Sequence, residues 1–137
     1  IIPEIGKPNF NLGENEMAMG MGIHGEPGIW TGPIKTADEV IKESINTLLG
    51  DITVNEGEEV SLIINGLGAT SQEELYILGE SLYRQLNEKG IKIYRTFVGE
   101  FATSMEMAGA SISLMKMDSE LKEYIDMPVN TPFYKQK

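Results

Sequence analysis

The sequence predicts an α/β domain in which helices cover a two-layer mixed β-sheet. Three observations carry that prediction. Two amphipathic stretches each open on a capping box and run toward a glycine stop, which is the signature of a helix signed at both ends. Segments at 16–23, 91–98 and 111–117 alternate with a period of two, the mark of half-buried strands. Between the helices lies a short β-branched run, 60–64, that reads as a buried strand. The order β-α-β-α-β-(turn)-β-α has the spacing of layered α/β folds.

Residues 1–15 (IIPEIGKPNFNLGEN) hold prolines, glycines and asparagines without periodicity and read as a lead-in segment to one domain spanning 1–137. The strand expected at 16–23 puts Met17, Met19, Met21 and Ile23 on one face and Ala18, Gly20 and Gly22 on the other. So small a second face implies close approach by a neighbouring layer or a ligand. Residues 24–33 (HGEPGIWTGP) carry three glycines and two prolines and are expected to form a loop. Thr36 and Glu39 then cap a helix whose stripe is Val40, Ile41, Ile45, Leu48 and Leu49, with Gly50 as its stop. A turn at 55–58 leads into the strand at 60–64, and 65–70 (NGLGAT) is expected to be a loop. Ser71 and Glu74 cap the second helix, with Leu75, Leu78, Leu82 and Leu86 on one side and Gly90 ending it. Strand 91–98 follows. Segment 102–109 has no clear preference, 111–117 is a strand, 119–125 a short helix, and 128–137 a tail.

At 137 residues the chain is large enough to bury a core without staples. It has no cysteine, which excludes disulfides, thiolate metal sites and a cysteine nucleophile. The 11 basic and 21 acidic side chains give a net charge of −10, the wrong sign for neutralising nucleic-acid phosphates. No apolar run approaches the length of a membrane span and no signal peptide is legible, so the expectation is a soluble, cytoplasmic protein. The opening Ile1-Ile2-Pro3, without an initiator methionine, reads as the start of a piece of something longer.

Chemistry concentrates at His24, the one histidine, which stands in Gly22-Ile23-His24-Gly25-Glu26-Pro27-Gly28. Flanking glycines keep bulk away from the imidazole, and a neutral ring near pH 7 can act as base, nucleophile or ligand. The plainer alternative is a histidine bonded to a backbone carbonyl in a tight turn. A lone histidine builds no zinc site, and there is neither an HExxH motif nor a GxSxG elbow. Glu26 could orient the ring or move a proton, and Glu106, in Thr103-Ser104-Met105-Glu106-Met107-Ala108-Gly109, invites the same reading; a lone loop carboxylate is more often a solvated turn residue. Asn65-Gly66-Leu67-Gly68 has only two glycines and no Lys-Ser/Thr pair, so close packing explains it better than a phosphate cradle. The methionines at 17–21 and 105–117 are expected as core filler and Trp30 as a packed ring.

Gly20-Met21-Gly22-Ile23-His24-Gly25-Glu26-Pro27-Gly28 resembles the signature of the dihydroxyacetone kinases, in their substrate-binding subunit or domain. The likeness continues in order and spacing through Asn65–Thr70, Glu74-Leu75-Tyr76, Thr103–Gly109, Ser111–Lys116 and Thr131-Pro132, covering nearly the whole chain. The resemblance implies the C-terminal of two α/β halves. It implies that His24 attaches covalently to the carbonyl carbon of dihydroxyacetone as a hemiaminal, while acid/base residues sit in the other half. It implies no cofactor in this chain, the donor being ATP or ADP-Mg on a partner subunit or domain, in some members recharged from phosphoenolpyruvate. Partners would be dihydroxyacetone, the other half, a nucleotide-binding kinase subunit or domain and a second copy in a homodimer. Some relatives of this kind are ketose-sensing coactivators rather than kinases.

Overall fold

The structure, a computed structural model, describes residues 6–8, 10–22, 27–104 and 107–137. Its centre is a three-stranded mixed sheet. Strand β3 (Glu59–Gly68) lies between β4 (Lys92–Gly99), which runs parallel to it, and β5 (Ala108–Lys116), which runs antiparallel. Ahead of it come a two-stranded antiparallel hairpin, β1 (Glu16–Met19) and β2 (Trp30–Pro33), and helix α1 (Ala37–Asp51). Helix α2 (Gln72–Glu88) makes the crossover from β3 to β4, as a parallel pair requires. Helix α3 (Ser119–Ile125) and a small hairpin of β6 (Val129–Asn130) and β7 (Lys135–Gln136) close the chain. The α/β class is as expected.

The core lies between β3 and the two long helices. Val60, Leu62 and Ile64 point to one face of the central strand and are buried against Ile41 and Ile45 of α1 and Leu75, Leu82 and Leu86 of α2. Strand period and helix period meet there because each element commits a single face to it. The helices are also tied edge to edge: Asp38 Oδ1 accepts from Ser81 Oγ at 2.5 Å and from Arg84 Nη2 at 2.6 Å, and Gln85 Nε2 donates to the Asp38 carbonyl at 3.0 Å. Both capping boxes form. Thr36 Oγ1 accepts from Glu39 N and Glu39 Oε2 from Thr36 N, and Ser71 and Glu74 repeat the pattern.

Four expectations are corrected. The first strand ends at Met19 rather than at residue 23, because Gly20 takes φ +75°, a conformation that breaks the extended run. The loop expected over 24–33 contains strand β2: Met17 pairs with Gly32 and Met19 with Trp30, so Gly32 and Pro33 sit on a strand whose outer edge tolerates them. Helix α1 runs through Gly50 to Asp51 and is capped by Ile52, so Gly50 is helical rather than a stop, whereas Gly90, at φ +72°, does follow the end of α2. Residues 65–68, expected as loop, continue β3 opposite Ser111, Ala110, Gly109 and Ala108. Long-range pairing with β5 overrides their turn-like composition. Among the described residues no helix is long and apolar enough to cross a membrane.

Candidate functional site

The loop that carries His24 and Glu26 joins β1 to β2. Its two ends are drawn together by the pairing of Met19 with Trp30 and by Ile29 N donating to Met19 O at 2.7 Å. Residues 23–26 lie outside the described residues, and so do Met105 and Glu106; the placement expected of His24, Glu26 and Glu106 therefore rests on their neighbours. The limbs explain the glycines. A Cβ on Gly20 would stand 2.5 Å from Ile29 Cγ1, and one on Gly28 would stand 2.7 Å from the Met19 carbonyl oxygen. What crowds the small-residue face of this segment is thus the loop's own return limb.

A cavity of about 860 Å³ opens beside this loop. Met17, Met19, Gly20, Met21 and Gly22 form one side, and Ser104, Met107 and the start of β5 form another. The structure thereby brings the limb leading to His24 and the residues bracketing Glu106 to a single space, although Gly22 and Ser104 stand far apart in sequence. The floor is apolar, with Leu48, Leu67, Leu78 and Ile112 among its members. The polar groups around it have local tasks. Glu16 Oε2 accepts from Gly13 N at 2.7 Å, Lys35 pairs with Glu43, and Ser44 and Thr47 donate to carbonyls one turn back in α1. Four methionines belong to this lining: 17, 19, 21 and 107. Among the described methionines only Met117 is buried in the manner of core filler, so most of those described are used differently from the expectation. Trp30 does pack, with its indole NH on Glu43 Oε2 at 3.1 Å and the Lys35 ammonium 4.2 Å from its ring centroid.

The wall made by the segment after β4 is held by a residue that sequence reasoning passed over. Asn65, only 5% exposed, accepts from Phe101 N at 2.7 Å and Ala102 N at 2.9 Å, and donates to Ala102 O at 2.7 Å and Ser111 Oγ at 3.3 Å. Gly68 N donates to Thr103 Oγ1 at 3.0 Å and Ala69 N to Met107 O at 2.7 Å. Gly68 has φ +73°, and a Cβ there would lie 2.0 Å from Met107 O. The glycines of Asn65–Gly68 serve close packing. Their backbone is engaged with β5 and with Met107 instead of cradling an anion, so this segment does not fit a nucleotide phosphate. A signal for Asn65 existed in an asparagine following three apolar strand residues, where a side-chain amide must find partners. Among the described residues no group of three or more His, Asp or Glu could hold a metal ion.

Comparison with known proteins defines the class. A family model described as the Dak1 domain matches residues 1–133, and the chain belongs to that family. Its relatives include a Listeria innocua protein named PTS-dependent dihydroxyacetone kinase 2, dihydroxyacetone-binding subunit DhaK, 43% identical over 98% of this chain and 40% of its own length. An L-erythrulose kinase from Pectobacterium atrosepticum is 38% identical over 98% of this chain and 24% of its own length. The chain thus spans well under half of the curated relatives it matches. Among solved structures, the dihydroxyacetone kinase operon co-activator Dha-DhaQ superposes with a TM-score of 0.82 at 31% identity, covering 89% of this chain and 38% of that one. The fold is also that of the dihydroxyacetone kinase from C. freundii in complex with AMP-PNP and Mg2+, with a TM-score of 0.72 at 22% identity over 85% of this chain and 21% of that one.

Proposed function

We propose that this chain is the dihydroxyacetone-binding part of a short-ketose kinase and that His24 is its covalent anchor. The observation that carries the reading is the glycine-rich loop between β1 and β2, bordering a cavity whose opposite wall comes from the segment after β4. Glycine limbs leave room for a three- or four-carbon ketone to reach an imidazole in that loop. The chemistry is an addition across the carbonyl. The lone pair of a neutral ring nitrogen bonds to C2, the carbonyl π pair moves to oxygen, and the ring proton ends on that oxygen. Atoms and charge balance without a co-reactant. Glycerol has no carbonyl and cannot be held this way, so selection between ketose and polyol follows from reactivity. Fixing C2 leaves a terminal hydroxyl free to be phosphorylated.

The phosphoryl donor, ATP or ADP-Mg, is assigned to a partner subunit or domain. The engagement of Asn65–Gly68 with β5 and Met107 supports that assignment. The acid/base residues are assigned to the remainder of a longer subunit, of which this is the C-terminal half. A homodimer and a cytoplasmic location complete the proposal. The test follows the carbonyl carbon of C2-labelled dihydroxyacetone, and the ring signals of the lone histidine, by NMR. A tetrahedral carbon signal with the ketone, none with glycerol, and its loss in His24→Ala are expected. An adduct that survives in His24→Ala would sink the assignment.

The likeness to the operon co-activator favours a second reading, a ketose sensor without kinase activity. The two readings share the adduct and separate on turnover. A kinase part yields ketose phosphate when the complementing subunits are supplied, and a sensor does not.

A further inference from the structure

We infer that Asn65 is a positioning residue for the ketone site, a role that rests on the function proposed above. It does not line the cavity. It acts through the segment that does, because its amide engages the backbone of Phe101 and Ala102 on three sides and Ser111 Oγ on the fourth. An amide is the group this position needs. Two of the partners are donors and two are acceptors, and only a side chain with both a carbonyl and an NH2 satisfies all four while buried. Thr103 Oγ1 on Gly68 N and Met107 O on Ala69 N fasten the same segment further along. Ser104, next to the first of these fixed points, and Met107, which forms the second, line the cavity together with Gly20–Gly22. The end of β3 thus sets the position of Ser104 and Met107 in the cavity that Gly20–Gly22 also line.

The decisive variant is Asn65→Asp, of nearly identical shape. It keeps the two acceptor contacts and replaces the NH2 with an oxygen 2.7 Å from the Ala102 carbonyl, turning a hydrogen bond into a repulsion. Ketone affinity, read from the His24 ring signal during titration with dihydroxyacetone, should weaken by about tenfold as the segment carrying Ser104 and Met107 is displaced, equivalent to roughly 1.4 kcal/mol of binding free energy. Thr103→Val removes an exposed contact, leaves the core alone and should weaken affinity by about threefold. It keeps the inference open to refutation should Asn65→Asp fail to fold. Thermal midpoints are recorded alongside, since a purely structural residue lowers the midpoint and leaves the affinity of the folded fraction unchanged. Variants that fold and bind dihydroxyacetone as the natural chain does would overturn the role of Asn65 alone. The titrations use the full-length subunit, and a full-length subunit that gives no ketone-dependent signal would overturn the proposed function and this role together.

Discussion

The two ends of the molecule are built on different rules. Around β3, α1 and α2, the apolar side chains at the centre of the helix–sheet seam are fully packed; Ile41, Val60, Ile64, Leu82 and Leu86 have no exposed surface. In the β1–β2 hairpin the same alternation produces partly exposed methionines on the rim of a cavity, and among the described residues the hairpin shares no backbone ladder with the main sheet. The first region is over-determined by packing, the second by glycines and a few backbone bonds. The packed core and the cavity rim are separated in space, as expected where a rigid scaffold carries a loop at its surface.

Substitutions should expose the contrast. Leu82→Ala, at the centre of the core, should cost about 2–5 kcal/mol in denaturant unfolding, whereas Met19→Ala should cost less than about 1 kcal/mol. Equal losses would mean that the hairpin is as integral to the fold as the helices. Gly68→Ala tests the seam between the regions. With φ +73° and a Cβ 2.0 Å from Met107 O, it should lose about 1–3 kcal/mol, together with altered signals from residues 101–104 if the segment is displaced. Unchanged stability would show that Met107 gives way freely.

The smallest effect concerns acid. The Ser81 hydroxyl, followed by the charge and hydrogen bond of Arg84, holds the Asp38 carboxyl below its ordinary value of 3.8, against an opposing effect of burial. A depressed folded-state value means that this contribution is fully present above pH 3.8 and is lost as the pH falls through the lower folded value. Asp38 is exposed, so the effect is modest. The stability gap between the natural chain and Asp38→Asn should be constant near neutrality and narrow below pH 3.8. A gap that widens with acid would contradict the inter-helix bond.

What could be read from sequence divides along the same line. Thr36 with Glu39 and Ser71 with Glu74 announced their helices because a cap is satisfied within four residues. Gly90 was legible as an end, but Gly50 misled, since its exposed helical position imposes no special backbone geometry. Strand β2 was hidden by Gly32 and Pro33, and the end of β3 by Asn65-Gly66-Leu67-Gly68, because both depend on partners elsewhere in the chain. For the candidate site, the glycines of 20–28 marked the loop, while the cavity and the lining by Met17, Met19, Met21 and Met107 arise only when β1 and the segment after β4 meet.

The bonds around Asn65 also bear on the ageing of the molecule. Asparagine followed by glycine is the sequence most prone to spontaneous deamidation, in which the glycine amide nitrogen attacks the side-chain carbonyl and ammonia departs. Here Gly66 lies in the strand ladder opposite Ala110, and the side chain is pinned by Phe101, Ala102 and Ser111. The five-membered ring cannot close until both are released. The folded protein therefore protects the amide that its unfolded chain would soonest lose, and the aspartate and isoaspartate left at residue 65 when water opens the ring become a chemical clock for time spent open.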